Sequence, residues 1–300
     1  MTVDIGGTFC RLSLANADGL LHGTDQLILN SDYYTVEELL RKYLNDFGTY
    51  KPDAICAGVA GPVANGVAQL TNHEWCVNGP RLAAAFDIKQ TVVLNDLQAQ
   101  AYALDDLNDS QIETLVEGDS AADGPRMTMG LGTGCNIAVA YRMGKNLFVS
   151  ASESGHTTLP DAPEYRAFFD HLRQDFPHLP IEAALSGPGL TRLHTFLSGD
   201  TRTPREIIAT QPTITLECFA RLLGMAMGNL ALSHMATGGI YLIGGLARAV
   251  APHLFSHGLH APFCDRGPYR DIMVRMPIHV VLDDTAALLG CARYLRQVDL

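Results

Sequence analysis

The sequence predicts an α/β protein of two domains in which helices cover mixed sheets. Short apolar strands alternate with segments of helical periodicity along the 300 residues. Two of the predicted strand pairs are hairpins with glycines at the turn, which argues against a simple doubly wound sheet. At roughly 150 residues per domain, a chain of this length corresponds to about two domains.

In the first half of the chain, alternation of polar and apolar residues predicts strands, and a 3.6-residue period predicts helices. Thr35 is the expected cap of the first helix, with Glu38 completing a capping box. Residues 16–19 have the composition of a hairpin turn. The polar, acidic stretch 108–126 is predicted as a loop. The predicted strands are 1–4, 11–15, 54–59, 67–70 and 91–94, and the predicted helices are 35–47, 81–86 and 97–107.

The second half continues the same alternation. Residues 216–235 form the longest apolar segment, but charged and polar residues interrupt it, so we expect a buried helix whose Gly224 and Gly228 allow close packing. Asp284 or Thr285 is expected to cap the last helix, and Asp283 is also interpreted as a capping residue. The predicted strands are 127–130, 137–143, 239–243 and 278–282, and the predicted helices are 164–176, 189–198, 216–235 and 286–296.

Charge and cysteine usage narrow the functional class. Thirty-two acidic residues against 21 basic ones give a net charge of −11, which argues against nucleic-acid or anionic-membrane partners. No stretch of about 18 uninterrupted apolar residues occurs, and the start has no secretory pattern, so a cytoplasmic protein is expected. The seven cysteines are widely spaced without a Cys-x-x-Cys pair, which fits buried thiols and gives no zinc signature.

Three glycine-rich turns are candidates for phosphate binding, because glycine lets backbone N–H groups approach an anion closely. They are Asp4-Ile5-Gly6-Gly7-Thr8, Gly130-Leu131-Gly132-Thr133-Gly134 and the segment 238–245. A strand pattern follows the second turn where a dinucleotide fingerprint needs a helix, and no P-loop lysine is present. Three ordinary tight turns remain the alternative interpretation.

Asp96 follows a buried apolar strand, where a carboxylate can point into a cleft. The alternative is that Asn95 and Asp96 only cap the helix that follows.

Together these motifs resemble the actin, Hsp70 and sugar-kinase superfamily, and within it the bacterial glucokinases. The similar segments follow the family's order across nearly the whole chain. They are Asp4-Ile5-Gly6-Gly7-Thr8, Thr71-Asn72-His73-Glu74-Trp75, Leu94-Asn95-Asp96, Gly132-Thr133-Gly134, Glu153-Ser154-Gly155-His156, Glu182-Ala183-Ala184-Leu185-Ser186-Gly187-Pro188-Gly189, Gly239-Ile240-Tyr241-Leu242-Ile243-Gly244-Gly245, and Leu288-Leu289-Gly290 ahead of Leu295-Arg296-Gln297.

The resemblance implies a two-domain actin-like ATPase (ribonuclease-H-like) fold with a central cleft between the domains. The small domain would comprise 1–105 and 284–300, and the large domain 106–283. The implied reaction is ATP-dependent phosphorylation of D-glucose at the 6-hydroxyl, and a homodimer is expected.

The resemblance also assigns residue roles. Asp96 would be the general base, Asp4 would position Mg²⁺ largely through water, and carboxylates, an amide and an imidazole would pair with sugar hydroxyls. The hexose contacts would be Asn95, Asp96, Glu153, His156 and Glu182. The nucleotide contacts would be Asp4, Gly6, Gly7, Thr8, Gly132, Thr133, Gly134, Gly244 and Gly245.

Three positions depart from the family pattern. Phe9 stands where the family commonly has Asn, Val3 where it has Gly, and Asn136 where it has Gly. Phe9 removes a polar group near the phosphates, whereas the change at Asn136 is mild because Asn tolerates positive φ. Only three residues precede Asp4, so we expect unpaired backbone groups beside the first strand, and either an upstream start or a weakened first phosphate loop.

Other functions remain open at this point. One is a kinase for another hexose, such as mannose or fructose. Another is a catalytically weakened sugar-binding regulator, which Phe9 and Val3 favour, and a third is an actin-like scaffold, against which the full set of sugar residues argues. The related repressor and N-acetylhexosamine-kinase group carries a cysteine-rich zinc motif that this sequence lacks.

Overall fold

A computed structural model describes residues 1–48, 50–70 and 73–298. The chain forms two compact units: unit 1 is Met1–Asn108 with Asp283–Leu300, and unit 2 is Asp109–Leu282. The domain assignment of 1–105 with 284–300 and 106–283 stays a prediction.

Strands and helices alternate along the chain, as the sequence predicts. The strands are β1 (Thr2–Ile5), β2 (Phe9–Ser13), β3 (Ala15–Asn16), β4 (Gly19–Leu20), β5 (Gln26–Leu29), β6 (Ala54–Val59), β7 (Val63–Ala64), β8 (Val67–Gln69), β9 (Cys76–Asn78), β10 (Gln90–Asn95), β11 (Ile112–Val116), β12 (Arg126–Leu131), β13 (Cys135–Met143), β14 (Asn146–Ser150), β15 (Ile240–Ile243) and β16 (Ile278–Val281). The α-helices are α1 (Val36–Asp46), α2 (Gly79–Phe86), α3 (Asp96–Tyr102), α4 (Arg166–Leu172), α5 (Ile181–Ala184), α6 (Gly187–Ser198), α7 (Pro204–Thr210), α8 (Thr213–His234), α9 (Gly245–Leu254), α10 (His260–Cys264), α11 (Arg270–Arg275) and α12 (Ala286–Gln297).

Unit 1 is built on a five-stranded sheet in the order β10-β6-β1-β2-β5. Strands β10, β6 and β1 are parallel, whereas β2 pairs antiparallel with both β1 and β5. Helices α3 and α12 pack against each other, and both contact β6. The parallel strands therefore end at one edge, where β1 turns through glycines into β2 and β10 runs into α3.

The first helix begins where the sequence predicts, but its cap differs in detail. The Thr35 side chain accepts a hydrogen bond from the Glu38 N–H at 3.2 Å, as expected of a helix cap. The Glu38 carboxylate accepts from the N–H of Tyr34 rather than that of Thr35. The predicted capping box is therefore wrong, because the glutamate reaches one residue further back.

The short first strand leaves fewer open backbone groups than expected. Strand β1 pairs at all four positions with β2 on one side and with β6 on the other. The Met1 carbonyl accepts from the Cys56 N–H at 3.0 Å, and the Met1 amine donates to the Ala54 carbonyl at 2.8 Å. The expectation of unpaired neighbouring groups is therefore wrong.

Unit 2 is built on a six-stranded sheet in the order β11-β16-β15-β12-β13-β14. Strands β12, β15 and β16 are parallel, and β13 folds back antiparallel on β12 after the second glycine turn. A single cluster of buried apolar side chains joins this sheet to its helices. Units 1 and 2 thus share a motif in which a glycine-turn hairpin adjoins parallel strands.

The predicted loop 108–126 contains a strand, so that prediction is wrong in part. Residues Ile112–Val116 form β11, which pairs antiparallel with β16 at the sheet edge. An edge strand exposes part of its length, so its polar composition does not distinguish it from a loop. The predicted helix 97–107 is also too long, because α3 ends at Tyr102 and tightens into a 3₁₀ turn over Ala103–Asp105.

The long apolar segment is helix α8, and it is packed through its glycines. A Cβ on Gly224 would lie 2.2 Å from the Leu259 carbonyl oxygen, and one on Gly228 would lie 2.6 Å from that of Phe263. The helix thus touches backbone next to and within α10, as expected. Among the described residues, no helix combines the length and apolarity that a membrane crossing needs.

All seven cysteines carry free thiols, and five of them are buried. Cys76 is exposed and Cys218 is half-buried, so the expectation of buried thiols is wrong for these two.

Candidate active site

Two carboxylates, Asp4 and Asp96, lie at the edge of unit 1 where the parallel strands end. Asp4 of β1 and Leu94 of β10 both pair with Gly58 of the strand between them. Asp96 comes two residues after Leu94, as the first residue of α3. The carboxyl ends of parallel strands are where α/β proteins bind ligands, so this edge is the candidate site of unit 1.

The surroundings of Asp4 disfavour its negative charge. Burial, first, and then the charge of Asp96 raise the pKa of the Asp4 carboxyl from 3.8 to about 7. Asp284 adds to this effect, and Arg11 opposes it. An Mg²⁺ ion or another cation nearby would favour the charged form of Asp4. The residues here therefore fit a cation that takes carboxylate oxygen and water as ligands.

Asn95 and Asp96 also cap α3, as the alternative interpretation expects. The N–H of Leu97 donates to Asn95 Oδ1 at 3.0 Å and to Asp96 Oδ1 at 2.9 Å. Gln98 closes a capping box by accepting from the Asn95 N–H at 3.1 Å. A carboxylate has two oxygens and about four acceptor positions, so capping by Asp96 is compatible with a chemical role.

The first glycine loop is bound by a residue that the sequence analysis missed. Asn30 donates from Nδ2 to the Gly6 carbonyl at 2.8 Å and from its backbone N–H to the Thr8 carbonyl at 2.9 Å. Its Oδ1 is buried without a hydrogen-bond partner among the described residues. Gly7 is half-buried in this loop, whereas Thr8 is exposed, and Phe9 places a 47% exposed aromatic ring beside it.

The second glycine loop, in unit 2, is held from two sides. The Gly187 N–H donates to the Gly132 carbonyl at 2.7 Å. Glu182 accepts from the Cys135 N–H at 2.9 Å, and its carboxylate oxygen lies 2.5 Å from where a Cβ on Gly134 would be. Only glycine fits at that position without displacing the carboxylate. Thr133, at the tip of the turn, is exposed.

The three sugar-binding candidates of unit 2 lie close to this loop. Glu153 precedes a 3₁₀ turn that ends with His156, and Gly155 within the turn packs so closely that a Cβ would lie 1.6 Å from the Cys135 carbonyl oxygen. Burial raises the pKa of the Glu153 carboxyl, Glu182 raises it further, and His156 lowers it. Glu153, His156 and Glu182 are therefore electrostatic neighbours, as the sequence analysis requires.

The glycine pair Gly244 and Gly245 follows β15 and begins α9. Gly244 has φ of 108°, and a Cβ there would lie 2.5 Å from the Leu131 carbonyl oxygen. Since Leu131 precedes Gly132, the pair lies next to the second glycine loop at the ends of neighbouring parallel strands. Beyond its own helix and chain neighbours, no atom of the described residues approaches the Cβ position of Gly245 within 4 Å, which leaves that face of the backbone open.

The remaining predicted features have mainly structural contacts. Thr71 and Asn72 lie outside the described residues, while the Trp75 N–H donates to His73 Nδ1 and its indole N–H to the Tyr34 carbonyl. Asp283 Oδ1 accepts from the Thr285 N–H at 2.6 Å, just before the last helix. Thr285 is the N-cap residue of that helix, as predicted, but no side-chain capping hydrogen bond is made there, so the interpretation of Asp283 as a capping residue is wrong. Within 1–48, 50–70 and 73–298, no group of three or more His, Cys, Asp or Glu side chains is arranged to hold a metal ion.

Each unit is built on a mixed sheet with a glycine-turn hairpin. The hairpin of unit 1 lies beside an aspartate pair, and the hairpin of unit 2 lies beside two glutamates and a histidine. This combination defines a sugar kinase of the actin-like fold. Matched over residues 1–298 by the family model described as Glucokinase, the chain belongs to the glucokinase family. The class of enzyme expected from the sequence, an ATP-dependent glucokinase, is thereby confirmed.

Individual relatives agree with this membership. A glucokinase of Mesorhizobium japonicum is 30% identical, with 99% of this chain and 91% of the relative covered. The crystal structure of a glucokinase from an Antarctic psychrotroph superposes with a TM-score of 0.87 at 28% identity, covering 98% and 97% of the two chains. A glucokinase from Balamuthia mandrillaris in complex with glucose shares the fold with a TM-score of 0.77 at 18% identity, covering 99% and 92%.

Proposed function

We propose that this protein transfers the γ-phosphoryl group of ATP to the 6-hydroxyl of D-glucose, with Asp96 as the general base. The observation that carries the proposal is the position of Asp96 at the carboxyl end of β10, beside Asp4 and the first glycine loop. An acceptor hydroxyl must lose its proton as the phosphoryl group arrives, and a carboxylate within hydrogen-bond reach accepts it. The products are glucose 6-phosphate and ADP.

Asn95, Asp96, Glu153, His156 and Glu182 are proposed to bind the hexose. Each sugar hydroxyl donates and accepts hydrogen bonds, so a set of carboxylates, an amide and an imidazole can read several of them. Such a set discriminates strongly against analogues that lack a hydroxyl, because a buried polar group would be left unpaired. The mutual proximity of Glu153, His156 and Glu182 supports this assignment.

The two glycine loops are proposed to bind the phosphates of ATP, with Thr8 and Thr133 as hydroxyl donors and Gly244 and Gly245 against the adenosine. Asp4 would hold Mg²⁺, largely through water, and the ion would neutralise charge on the phosphates. The raised pKa of Asp4 supports this role, since a neighbouring cation relieves the cost of its negative charge. A homodimer and a cytoplasmic location remain predictions.

A coupled assay of ADP release tests the proposal. The purified protein is given ATP and Mg²⁺ with glucose, mannose or fructose, and glucose is expected to be the best substrate. We expect Asp96→Asn to lower kcat at least 100-fold, the size of a general-base contribution, while calorimetry still detects glucose binding. Asp271→Asn is the matched control, because Asp271 is an exposed aspartate in the first turn of another helix.

Three results would contradict parts of this assignment. Undiminished turnover in Asp96→Asn would exclude Asp96 as the base. Turnover with mannose or fructose above that with glucose would change the substrate. Glucose-induced thermal stabilisation without ADP release would favour the weakened regulator, for which the exposed ring of Phe9 beside the first glycine loop is the structural argument.

A further inference from the structure

Asn136 replaces a glycine of the family pattern, and it uses its side chain rather than its backbone freedom. It is not among the five non-glycine residues that the described chain holds at positive φ. The explanation that Asn is tolerated there because it adopts positive φ is therefore wrong. Its Oδ1 accepts from the Ile137 N–H at 2.8 Å, and Nδ2 donates to the Ser152 carbonyl at 2.6 Å and to Glu153 Oε2 at 3.0 Å.

The contact with Glu153 connects the second glycine loop to a proposed sugar ligand. Asn136 is in β13, one residue after Cys135. The Cys135 carbonyl oxygen is in close contact with Gly155, and the Cys135 N–H donates to the Glu182 carboxylate. Around the Glu153 carboxylate, the facing charged groups are His156 from the same turn and Glu182 from α5. Glu182 is a like charge, so an amide donor from β13 offsets repulsion that would otherwise disfavour the ionised form of Glu153.

We propose that Asn136 is a positioning residue for the hexose, which holds the Glu153 carboxylate ionised and oriented so that it accepts sugar hydroxyls. The inference rests on the proposed function. Glu153 is otherwise an exposed glutamate with several rotatable bonds, and ordering it on binding would cost conformational entropy. A donor on a paired strand fixes one carboxylate oxygen before the sugar arrives, which lowers that cost.

A purely structural role for Asn136 makes different predictions. The bond to the Ser152 carbonyl would then be the important one, and its loss would loosen the turn 152–156 as a whole. Loss of this anchor would lower the unfolding temperature and raise the KM for both glucose and ATP. Under a positioning role, loss of Asn136 affects only the binding of the hexose, and the size of that effect depends on pH.

The experiment compares Asn136→Asp and Asn136→Gly with the wild type. Asparagine-to-aspartate exchange keeps the size of the side chain but sets a carboxylate against Glu153, and glycine restores the family pattern. We expect the KM for glucose to rise about tenfold, as for loss of one hydrogen bond to a charged group, with the KM for ATP unchanged. Asn146→Asp is the matched control, since Asn146 is exposed on the neighbouring strand β14 of the same sheet.

The pH profile is the decisive readout. Without the amide donor the pKa of Glu153 rises further, so the acid limb of kcat/KM for glucose is expected to move to higher pH in both variants, and furthest in Asn136→Asp. An unmoved acid limb and an unchanged KM for glucose would overturn the inference. Parallel losses for both substrates with a lower unfolding temperature would reduce Asn136 to a loop anchor.

Failure of the proposed function remains distinguishable from failure of this inference. Calorimetric titration with glucose measures binding whether or not turnover occurs. A wild type that binds glucose without turnover, together with weaker binding by Asn136→Gly, would refute the kinase assignment and keep the positioning role. Turnover by the wild type with equal glucose affinity in all variants would keep the kinase assignment and refute the positioning role.

Discussion

Replacing Asp4 by asparagine is expected to stabilise the ligand-free protein while removing its activity. The carboxyl of Asp4 is held away from water and is near the charges of Asp96 and Asp284, which Arg11 opposes. Asparagine has the same shape and no charge, so Asp4→Asn relieves this repulsion. The same exchange removes the group proposed to hold Mg²⁺ near the phosphates, so turnover should fall steeply.

The magnitude follows from the pKa of Asp4, which burial raises from 3.8 to about 7. At about 1.4 kcal/mol for each pH unit between these values, ionising the folded protein costs about 4 kcal/mol. Asp4 is half-buried and its surroundings can relax, so we expect about 1–2 kcal/mol to be measured at pH 8.

The difference in stability between Asp4→Asn and the wild type is expected to depend on pH. Below pH 3.8 the carboxyl is protonated in both the folded and the unfolded state, and the wild type should be as stable as the variant. As the pH rises from about 4 to about 7, only the unfolded chain loses the proton, so the wild type becomes progressively less stable than Asp4→Asn. Above pH 7 the difference should be constant.

Urea unfolding at pH 5 and pH 8 measures this difference directly. Asp18→Asn is the matched control, because Asp18 is exposed in the β3–β4 turn. A variant no more stable than the wild type at pH 8, or one whose gain is equal at both pH values, would refute the electrostatic reasoning.

Two further predictions concern backbone contacts. Gly290→Ala should lower the free energy of unfolding by about 1–3 kcal/mol and also reduce kcat, because a Cβ there would lie 1.6 Å from the Ala99 carbonyl oxygen of α3, the helix that begins with Asp96. Urea unfolding and the coupled assay measure the two effects. Gly48→Ala, whose Cβ would lie 3.5 Å from the Asn45 carbonyl oxygen as its nearest contact among the described residues beyond its chain neighbours, should change neither. Asn30→Ala should raise the KM for ATP about threefold to tenfold and leave that for glucose unchanged, because it removes the amide bond to the Gly6 carbonyl; equal effects on both substrates would contradict a role confined to the first glycine loop.

The glycine loops and the site carboxylates could be predicted from the sequence because they have local signals. A buried strand followed by glycines, or by Asn95-Asp96, is contiguous in the chain, and the parallel pairing of β1, β6 and β10 brings two such ends together. Asn30 has no such signal. Its bond to Gly6 spans 24 residues and depends on the pairing of β5 with β2, which no local pattern specifies.

The errors in the predicted elements have a related cause. Strand β11 alternates weakly and contains polar residues, and it is a strand because β16 supplies its partner. Glu38 accepts from Tyr34 rather than Thr35 because the chain before α1 places that N–H within 3.0 Å. Tertiary contacts decide both cases, and propensity alone does not.

The electrostatics of the two units follow one rule that the sequence does not display. In unit 1 burial and a neighbouring aspartate raise the pKa of Asp4. In unit 2 burial raises the pKa of Glu153, with His156 opposing and Glu182 adding to the rise. Each unit thus keeps a carboxylate where its charge is unfavourable until a ligand arrives. A cation beside Asp4 or hydroxyl donors to Glu153 would relieve that cost, so part of the affinity for ligand comes from strain already present in the free protein. Neutralising Asp4, the more buried of the two groups, should therefore gain stability and lose function together.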